Sequence, residues 1–476
     1  MEVAMNEEPS DHSRLALTPD QMREFGYRVV DVLVEHFVGL EREPVGTKGD
    51  SVRLVSLFDH DPPEMGRDPG EVLSQLEHDV FPNNLHVDHP RFFAFVPGPN
   101  NFVSTMADAL AAGFNVFNGT WLGGSAAAAI ELGIVRWLSR VCGFPESAGG
   151  LFVSGGSMAN LTALVAARHA LLQDRIDRAT VYFSDQTHSS VQRALHVIGF
   201  LREQMRKLPS DKNFRLPVHD LRDAIRTDRA KGLRPFCIVA NAGTTNTGAV
   251  DPLIDLADLA QSEKMWLHVD GAFGAAALLS ERGRVLLRGV ERADSISLDP
   301  HKWLFQSFEC GCVLVRDVAL LKSAFQIKPD YLRDVHRNPA EFNPGDHGVQ
   351  LSRSFRALKV WLSLQTFGLS AFRNAITRGF ELAEIADREL RARKGWEILS
   401  PAQMATVCFR FGESDDLQTQ LVDIMMRDGY ALLTSTELRG VASLRLCTIN
   451  PRTTEQDIVG TIGRLDKFAR ELDCQD

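Results

Sequence analysis

The sequence predicts an α/β fold, a mostly parallel sheet with flanking helices, followed by a small α+β domain. Three observations predict it. Across residues 91–365, short β-rich runs alternate with helical runs, the pattern of strand–helix–strand crossovers. Runs such as "FCIVANAG" and "MWLHVD" are almost wholly apolar, as strands covered on both faces must be. The 476 residues, 44% apolar and 24% charged, suffice for a large core and for more than one structural unit.

Residues 1–90 read as an N-terminal helical segment. The opening "MEVAMNEEPSDHSR" is acidic and polar and lacks the basic-then-apolar pattern of a secretory signal. The next stretch, "PDQMREFGYRVVDVLVEHFVGL", places Phe25, Val29, Val32, Leu33 and Phe37 at helical spacing. Thr18 and Gln21 form a capping box at its start. A Pro/Gly-rich connection, "DHDPPEMGRDPGE", follows. This segment is too small for its own core and is expected to pack on a second subunit.

Residues 91–365 read as the large domain. "GLFVS" precedes the helical "SMANLTALVAARHALL", "TVYFS" precedes "SSVQRALHVIGF", and "FCIVANAG" leads to "PLIDLADLAQSEK". "MWLHVD", "SISLD" and "GCVLVRD" are further strands. Residues 366–476 read as a small C-terminal domain. Its end, "SLRLCTINPRTTEQDIVGTIGRLDKFARELD", gives a strand, a turn and an amphipathic helix.

The formal net charge of -10 provides no electrostatic footprint for nucleic acid or an anionic membrane surface. No run approaches the ~18 apolar residues of a membrane span. A cytoplasmic enzyme is the expectation. The seven cysteines are scattered and read as reduced core thiols. Cys310 and Cys312 have no second pair at zinc spacing, so no metal site is expected.

In a parallel sheet, ligands sit at the carboxyl ends of the strands. Chemistry-bearing residues fall there. In "LFVSGGSMANLTAL" a strand ends at Ser154, two glycines turn the chain, and a helix begins near Ser157. Free amides at a helix start cradle phosphate, although a plain Gly-rich turn with a serine cap has the same sequence. The G-K-[ST] ending of a P-loop is missing. Asp270 ends the strand of "WLHVDGAFG", as a partner for a ring cation or as a turn residue. His188 in "FSDQTHSSV" lies just past a strand end, as a site residue or a cap. "VANAGTTNTGAVDP" is a tight polar loop with Asn246, and Asp251 before Pro252 reads as a helix N-cap. Lys302 in "SISLDPHKWLF" is a lysine in apolar company, a setting that depresses its pKa and sharpens it as a nucleophile. A phosphate cradle, a carboxylate for a pyridinium nitrogen, a histidine face and a lysine amine are together what pyridoxal 5'-phosphate needs, with Lys302 forming the Schiff base.

"SDQTHSSV", "GTTNTGAVDP", "WLHVDGAFG" and "DPHKW", in this order, resemble the group II pyridoxal-phosphate-dependent amino acid decarboxylases. "DHPRFFAFVP" and "TWLGGSAAAAIELGIVRWL" are most similar to the aromatic-L-amino-acid branch, and the likeness runs from about residue 20 to 465. The resemblance implies an aspartate-aminotransferase-like fold (fold type I) and a homodimer with shared active sites. It implies that Lys302 binds the cofactor aldehyde, Asp270 pairs with the pyridinium nitrogen and His188 stacks on the ring. Gly156 and Ser157 would hold the phosphate, Ala272 the other ring face, with Thr244 and His301 beside the cofactor. Trp303, Phe95 and Pro97 would border the substrate, the segment 95–98 reaching into the neighbouring subunit's site. The implied reaction is decarboxylation of an L-amino acid, an aromatic one, to the amine and CO2.

Three departures qualify that expectation. Aromatic decarboxylases commonly supply a loop tyrosine to protonate Cα. The matching stretch, "YLRDVHRNPAEFNPGDHGVQLSRSFRALK", has Tyr331 at its start and none beyond, and the chain has four tyrosines in all. Phe342 and His347 are what the loop offers, and His347 is the candidate acid by its ordinary pKa. In related plant enzymes phenylalanine in place of that tyrosine accompanies oxidative deamination, so an aldehyde synthase is the alternative. A cofactor-binding protein without turnover is the other. Second, Val87 and Gly119 replace bulky rings and are expected to widen the substrate pocket. Third, Asp299 stands where many relatives carry asparagine near the phosphate.

Overall fold

The computed structural model describes residues 15–474. Most of the polar N-terminal tail, whose sequence shows no signal pattern, lies outside them. By internal packing the chain divides into two units, residues 1–86 and 87–476.

The first unit holds helices Pro19–Gly39, Ser51–Phe58 and Pro69–Gln75. The capping box forms as its residues require. Gln21 N donates to Thr18 Oγ1 at 3.3 Å, and Thr18 N donates to Gln21 Oε1 at 3.0 Å. No residue of Pro19–Gly39 is buried.

The second unit is built on a seven-stranded sheet. Its strands are β1 (Gly149–Val153), β2 (Ala179–Ser184), β3 (Met205–Leu208), β4 (Arg234–Asn241), β5 (Trp266–Asp270), β6 (Ser295–Leu298) and β7 (Gly311–Val315). The order is β1-β7-β6-β5-β4-β2-β3, and only β7 runs antiparallel to its neighbours. The reason is local. β6 and β7 are joined by the short stretch 299–310, which has no crossover helix and returns the chain antiparallel. That stretch carries Lys302, so the lysine sits at the carboxyl end of β6.

Alternate residues of the central strands face opposite layers. Tyr182, Ile238, Ala240, Leu267 and Val269 enter one core, and Val181, Phe183, Cys237 and Val239 the other. Two-sided burial explains the apolar runs seen in the sequence. β3 is an added edge strand that the sequence reading lacks. Its residues Arg206 and Lys207 interrupt any apolar pattern, as befits an edge.

A second, antiparallel sheet is formed by β8 (Trp396–Gln403), β9 (Thr406–Phe411), β10 (Thr434–Leu438) and β11 (Val441–Cys447), in the order β10-β11-β9-β8. Helices Asp415–Asp428 and Glu455–Asp473 cover it. The boundary drawn at 365/366 falls inside one helix, Ala357–Arg391, beside its kink at Gly368 (φ 74°, ψ 156°). All seven cysteines are free thiols and six are buried.

Candidate active site

The carboxyl ends of β1, β2, β4, β5 and β6 share one edge of the sheet, and a cavity of about 330 Å³ opens there. Its walls include all eight residues expected at a cofactor: Gly156, Ser157, His188, Thr244, Asp270, Ala272, His301 and Lys302.

Asp270 is the last residue of β5, in register with Asn241 on β4 and Ser297 on β6. Its Oδ1 accepts from Ser297 Oγ at 3.0 Å and from Ala272 N at 3.1 Å, and its Oδ2 from Asn160 Nδ2 at 2.9 Å. Burial alone would push this carboxyl up, yet its pKa lies below the ordinary value. His268 lowers it only when protonated, and burial pulls the His268 pKa down to about 4. At neutral pH the Lys302 charge and the hydrogen bonds therefore keep Asp270 ionised.

His188 is the N-cap of helix Ser189–Val197. Its Nδ1 accepts from Ser190 N at 3.3 Å and lies 2.8 Å from Ser190 Oγ. Site residue and cap are the same residue. Burial and the Lys302 charge lower its pKa, outweighing the nearby carboxylates.

Gly156 starts helix Gly156–Leu172, whose N-terminus has no side-chain cap. A helix start without a side-chain cap is what an anion cradle requires. A Cβ on Gly156 would come within 2.8 Å of Ala272 Cβ and 2.9 Å of Asp299 Oδ2. Thr244 is buried, its hydroxyl 2.8 Å from Thr247 Oγ1. Arg445 clips this loop by donating to the carbonyls of Thr245 and Asn246, and also to that of Phe95.

Lys302 Nζ lies 2.9 Å from Asp299 Oδ2, which is also 3.6 Å from His301 Nε2. Apart from this ammonium, neither Asp299 oxygen has a hydrogen-bond donor among the described residues. Burial pulls the ammonium down, but the charges of Asp299 and Asp270 outweigh it and hold Lys302 above its ordinary pKa. The expected depression is thus corrected, because the sequence shows the apolar neighbours and not the ion pair.

Several other residues singled out in the sequence lie away from the cavity of this chain. Trp303 is wholly buried, its ring 5.3 Å from that of Phe273 and 5.1 Å from Phe380, and it lines no part of the cavity. Phe95 is exposed and Pro97 buried, and neither borders the cavity in this chain. Gly98 of the same segment packs on Phe308, whose ring is 4.7 Å from that of His301. His347 is buried away from the cavity, its Nδ1 donating to Asn343 O at 2.9 Å and its ring 4.4 Å from Phe342. Burial lowers its pKa. Val87 and Gly119 do not line the cavity, and Gly119 lies against the Leu351 carbonyl, where a side chain has no room. Asp251 caps no helix. It accepts from Leu216 N and Asn241 N, each at 2.7 Å, and burial still raises it to about 6.

Sequence reasoning missed Asn160, Ser190, Asp299 as a lysine partner, and Arg445. Asn160 had a usable signal, an amide side chain buried in the first turns of a helix that is mostly apolar. The donor set fits pyridoxal phosphate. An ionised carboxylate and an amine face one cavity, and an uncapped helix start bounds it where a Cβ would intrude.

The comparisons agree. Residues 52–412 match the pyridoxal-dependent decarboxylase conserved domain. The chain is 48% identical over 467 residues to an aromatic-L-amino-acid decarboxylase of Bacillus atrophaeus, covering 96% of this chain and 97% of that one. A phenylacetaldehyde synthase of Petunia hybrida is 32% identical, covering 92% of each chain. The crystal structure of Oryza sativa TDC with PLP and tryptamine superposes with a TM-score of 0.91 at 29% identity, covering 96% of this chain and 99% of that one. Domain match, full-length kinship and a fold type I architecture converge on one assignment. This chain belongs to the pyridoxal-dependent decarboxylase family, as a group II amino acid decarboxylase that works with pyridoxal phosphate.

Proposed function

We propose that the substrate is an aromatic L-amino acid, converted to its amine and CO2, and that Lys302, Asp270 and His188 carry the reaction. The carrying observation is the cavity that holds an amine, an ionised carboxylate and an uncapped helix start together. The aromatic preference rests on the likeness to the Bacillus enzyme.

Pyridoxal phosphate, when bound, supplies an electron sink for the pair left as the bond from Cα to the carboxylate breaks. Lys302 would hold the cofactor aldehyde through its amine. Asp270, kept ionised by three donors, would hold a proton on the ring nitrogen. Gly156 and Ser157 would take the phosphate, and Ala272 and His188 would face the ring. Thr244 and His301 complete the wall. His347 would reach the cavity only if the loop repacked, so it is left outside the proposed set.

A homodimer with shared sites is part of the reading. Phe95, Leu110, Phe114, Leu122 and Phe308 are exposed large apolar side chains, the kind a subunit interface covers. The N-terminal segment packs on the partner, the large domain binds the cofactor, and the enzyme works in the cytoplasm. A second reading, an aldehyde synthase, is favoured by one observation. No tyrosine follows Tyr331 in the loop.

The test is aerobic incubation of cofactor-loaded protein with L-tryptophan, L-phenylalanine, L-tyrosine, DOPA, L-histidine and L-glutamate, with products read by mass spectrometry. Amine and CO2 from the aromatic substrates are expected. Aldehyde with peroxide and ammonia would transfer the assignment to the second reading. No product from any of them would overturn both.

A further inference from the structure

A buried hydrogen-bond chain runs behind the cavity wall. Trp266 Nε1 donates to Ser295 Oγ at 2.8 Å, and Ser295 Oγ lies 2.9 Å from His268 Nδ1. His268 Nε2 lies 2.9 Å from Asn160 Oδ1. Asn160 Nδ2 donates both to Asp270 Oδ2 at 2.9 Å and to Ser190 Oγ at 3.0 Å. Ser190 Oγ meets His188 Nδ1 at 2.8 Å. All but His188 are buried.

Every proton in this chain has one possible place, because three of its groups cannot change role. An indole N–H only donates, a backbone N–H only donates, and an ionised carboxylate only accepts. Asp270 therefore requires the Asn160 NH2, which leaves Asn160 Oδ1 for His268. His268 must present Nε2–H to that oxygen. Its bare Nδ1 then accepts from the Ser295 hydroxyl, whose oxygen accepts from Trp266. At the other end Ser190 Oγ accepts the second amide proton of Asn160 and gives its own to His188 Nδ1. Ser190 N–H also points at that nitrogen.

We propose that this chain fixes His188 as the imidazole tautomer with Nδ1 bare and its proton on Nε2, and that Ser190, Asn160 and His268 are positioning residues of the reaction. The same amide serves two site residues. Asn160 holds Asp270 as an acceptor and, through Ser190, sets which nitrogen of His188 carries the proton. The Nε2–H is then the polar atom His188 offers the cavity. A histidine whose proton location is fixed in advance needs no rearrangement when a ligand arrives.

The positioning role rests on the decarboxylase reading, but the tautomer does not, so the test separates them. Cofactor-loaded enzyme with nitrogen-labelled histidine is studied by NMR, with the His188 signals assigned by their loss in His188→Gln. The expected wild-type spectrum shows His188 protonated at Nε2 and bare at Nδ1. Ser190→Ala should move those signals toward a mixture of tautomers and lower kcat about fivefold, the effect of one lost hydrogen bond. Ser190→Thr, which keeps the hydroxyl, should restore both. In His268→Gln, which keeps an N–H toward Asn160, the His188 tautomer should persist. An unchanged His188 spectrum and a kcat within twofold of wild type in Ser190→Ala would overturn the proposal. A fixed tautomer in a protein that turns over no amino acid would overturn the decarboxylase reading and, with it, the positioning role alone.

Discussion

The Asp299–Lys302 pair gives the sharpest prediction, and the perturbation is Asp299→Asn. Two unit charges 2.9 Å apart, at an effective dielectric of ~20, attract by about 6 kcal/mol. Desolvation of the buried Asp299 and the partly buried Lys302 consumes most of that. If a quarter survives as net preference for the ammonium, about 1.4 kcal/mol, removing it multiplies the neutral amine about tenfold at neutral pH. The direction follows from the balance already described. Burial pulls Lys302 down and the carboxylates pull it up, so losing Asp299 lets burial prevail. The substitution also takes a carboxylate from beside Gly156, where Asp299 Oδ2 lies 2.9 Å from a Cβ position. Both changes favour capture of an aldehyde that carries a phosphate.

The assay is stopped-flow absorbance as cofactor-free protein meets pyridoxal phosphate at neutral pH. The variant should form its imine about tenfold faster. Repeating it with pyridoxal, which lacks the phosphate, separates the two effects. A gain that persists with pyridoxal belongs to the lysine, and one that vanishes belongs to the cradle. A rate within twofold of wild type for both aldehydes would refute the claim that Asp299 controls Lys302.

Three further outcomes are expected. Gly156→Ala should abolish cofactor retention on gel filtration and also lower the thermal melt, because its Cβ meets Ala272 Cβ at 2.8 Å at the cavity wall and the packing there must shift. Arg353→Ala should cost about 3–5 kcal/mol in urea unfolding, since it strands the Glu131 carboxylate, held at 2.6 Å with both side chains 1% exposed; replacing both, with Glu131→Leu and Arg353→Met, should recover much of it. His268 is buried neutral, with a pKa of about 4 against an ordinary 6.5, so the unfolded chain binds its proton first on acidification. Its contribution to stability is complete above about pH 6.5 and falls by about 3 kcal/mol as pH drops to about 4. Asp251, raised to about 6, slopes the opposite way over much of that range, so the comparison of wild type with His268→Asn isolates the histidine. The variant should lose less stability on acidification.

The parts of this site legible in the sequence share one property. Lys302, Asp270, His188 and Gly156 each end or follow an apolar strand, and a parallel sheet gathers such ends on one edge. Their convergence needs only strand order, not side-chain detail. The fold was readable for the same reason, since two-sided burial writes apolar runs into the sequence. β3 and the strands β8 to β10 were not. β3 is a charged edge, β8 and β10 mix exposed and buried positions, and the register between β8 and β9 shifts.

What the sequence hid depends on direction and distance. Trp303 is next to Lys302 in the chain, yet in the 299–310 turn neighbours point opposite ways, one into the cavity and one into the core. Asn160 serves Ser190 and Asp270, 30 and 110 positions away, and no local pattern records such a bridge. The same holds for charge. A lysine among apolar residues reads as depressed until the carboxylate three residues before it is seen to fold back onto its amine. Residue type at a strand end therefore locates the chemistry, while the state of each group is set by partners that only the folded chain supplies. The Asp299→Asn and Ser190→Ala experiments probe that second layer, since both leave Lys302, Asp270 and His188 themselves in place.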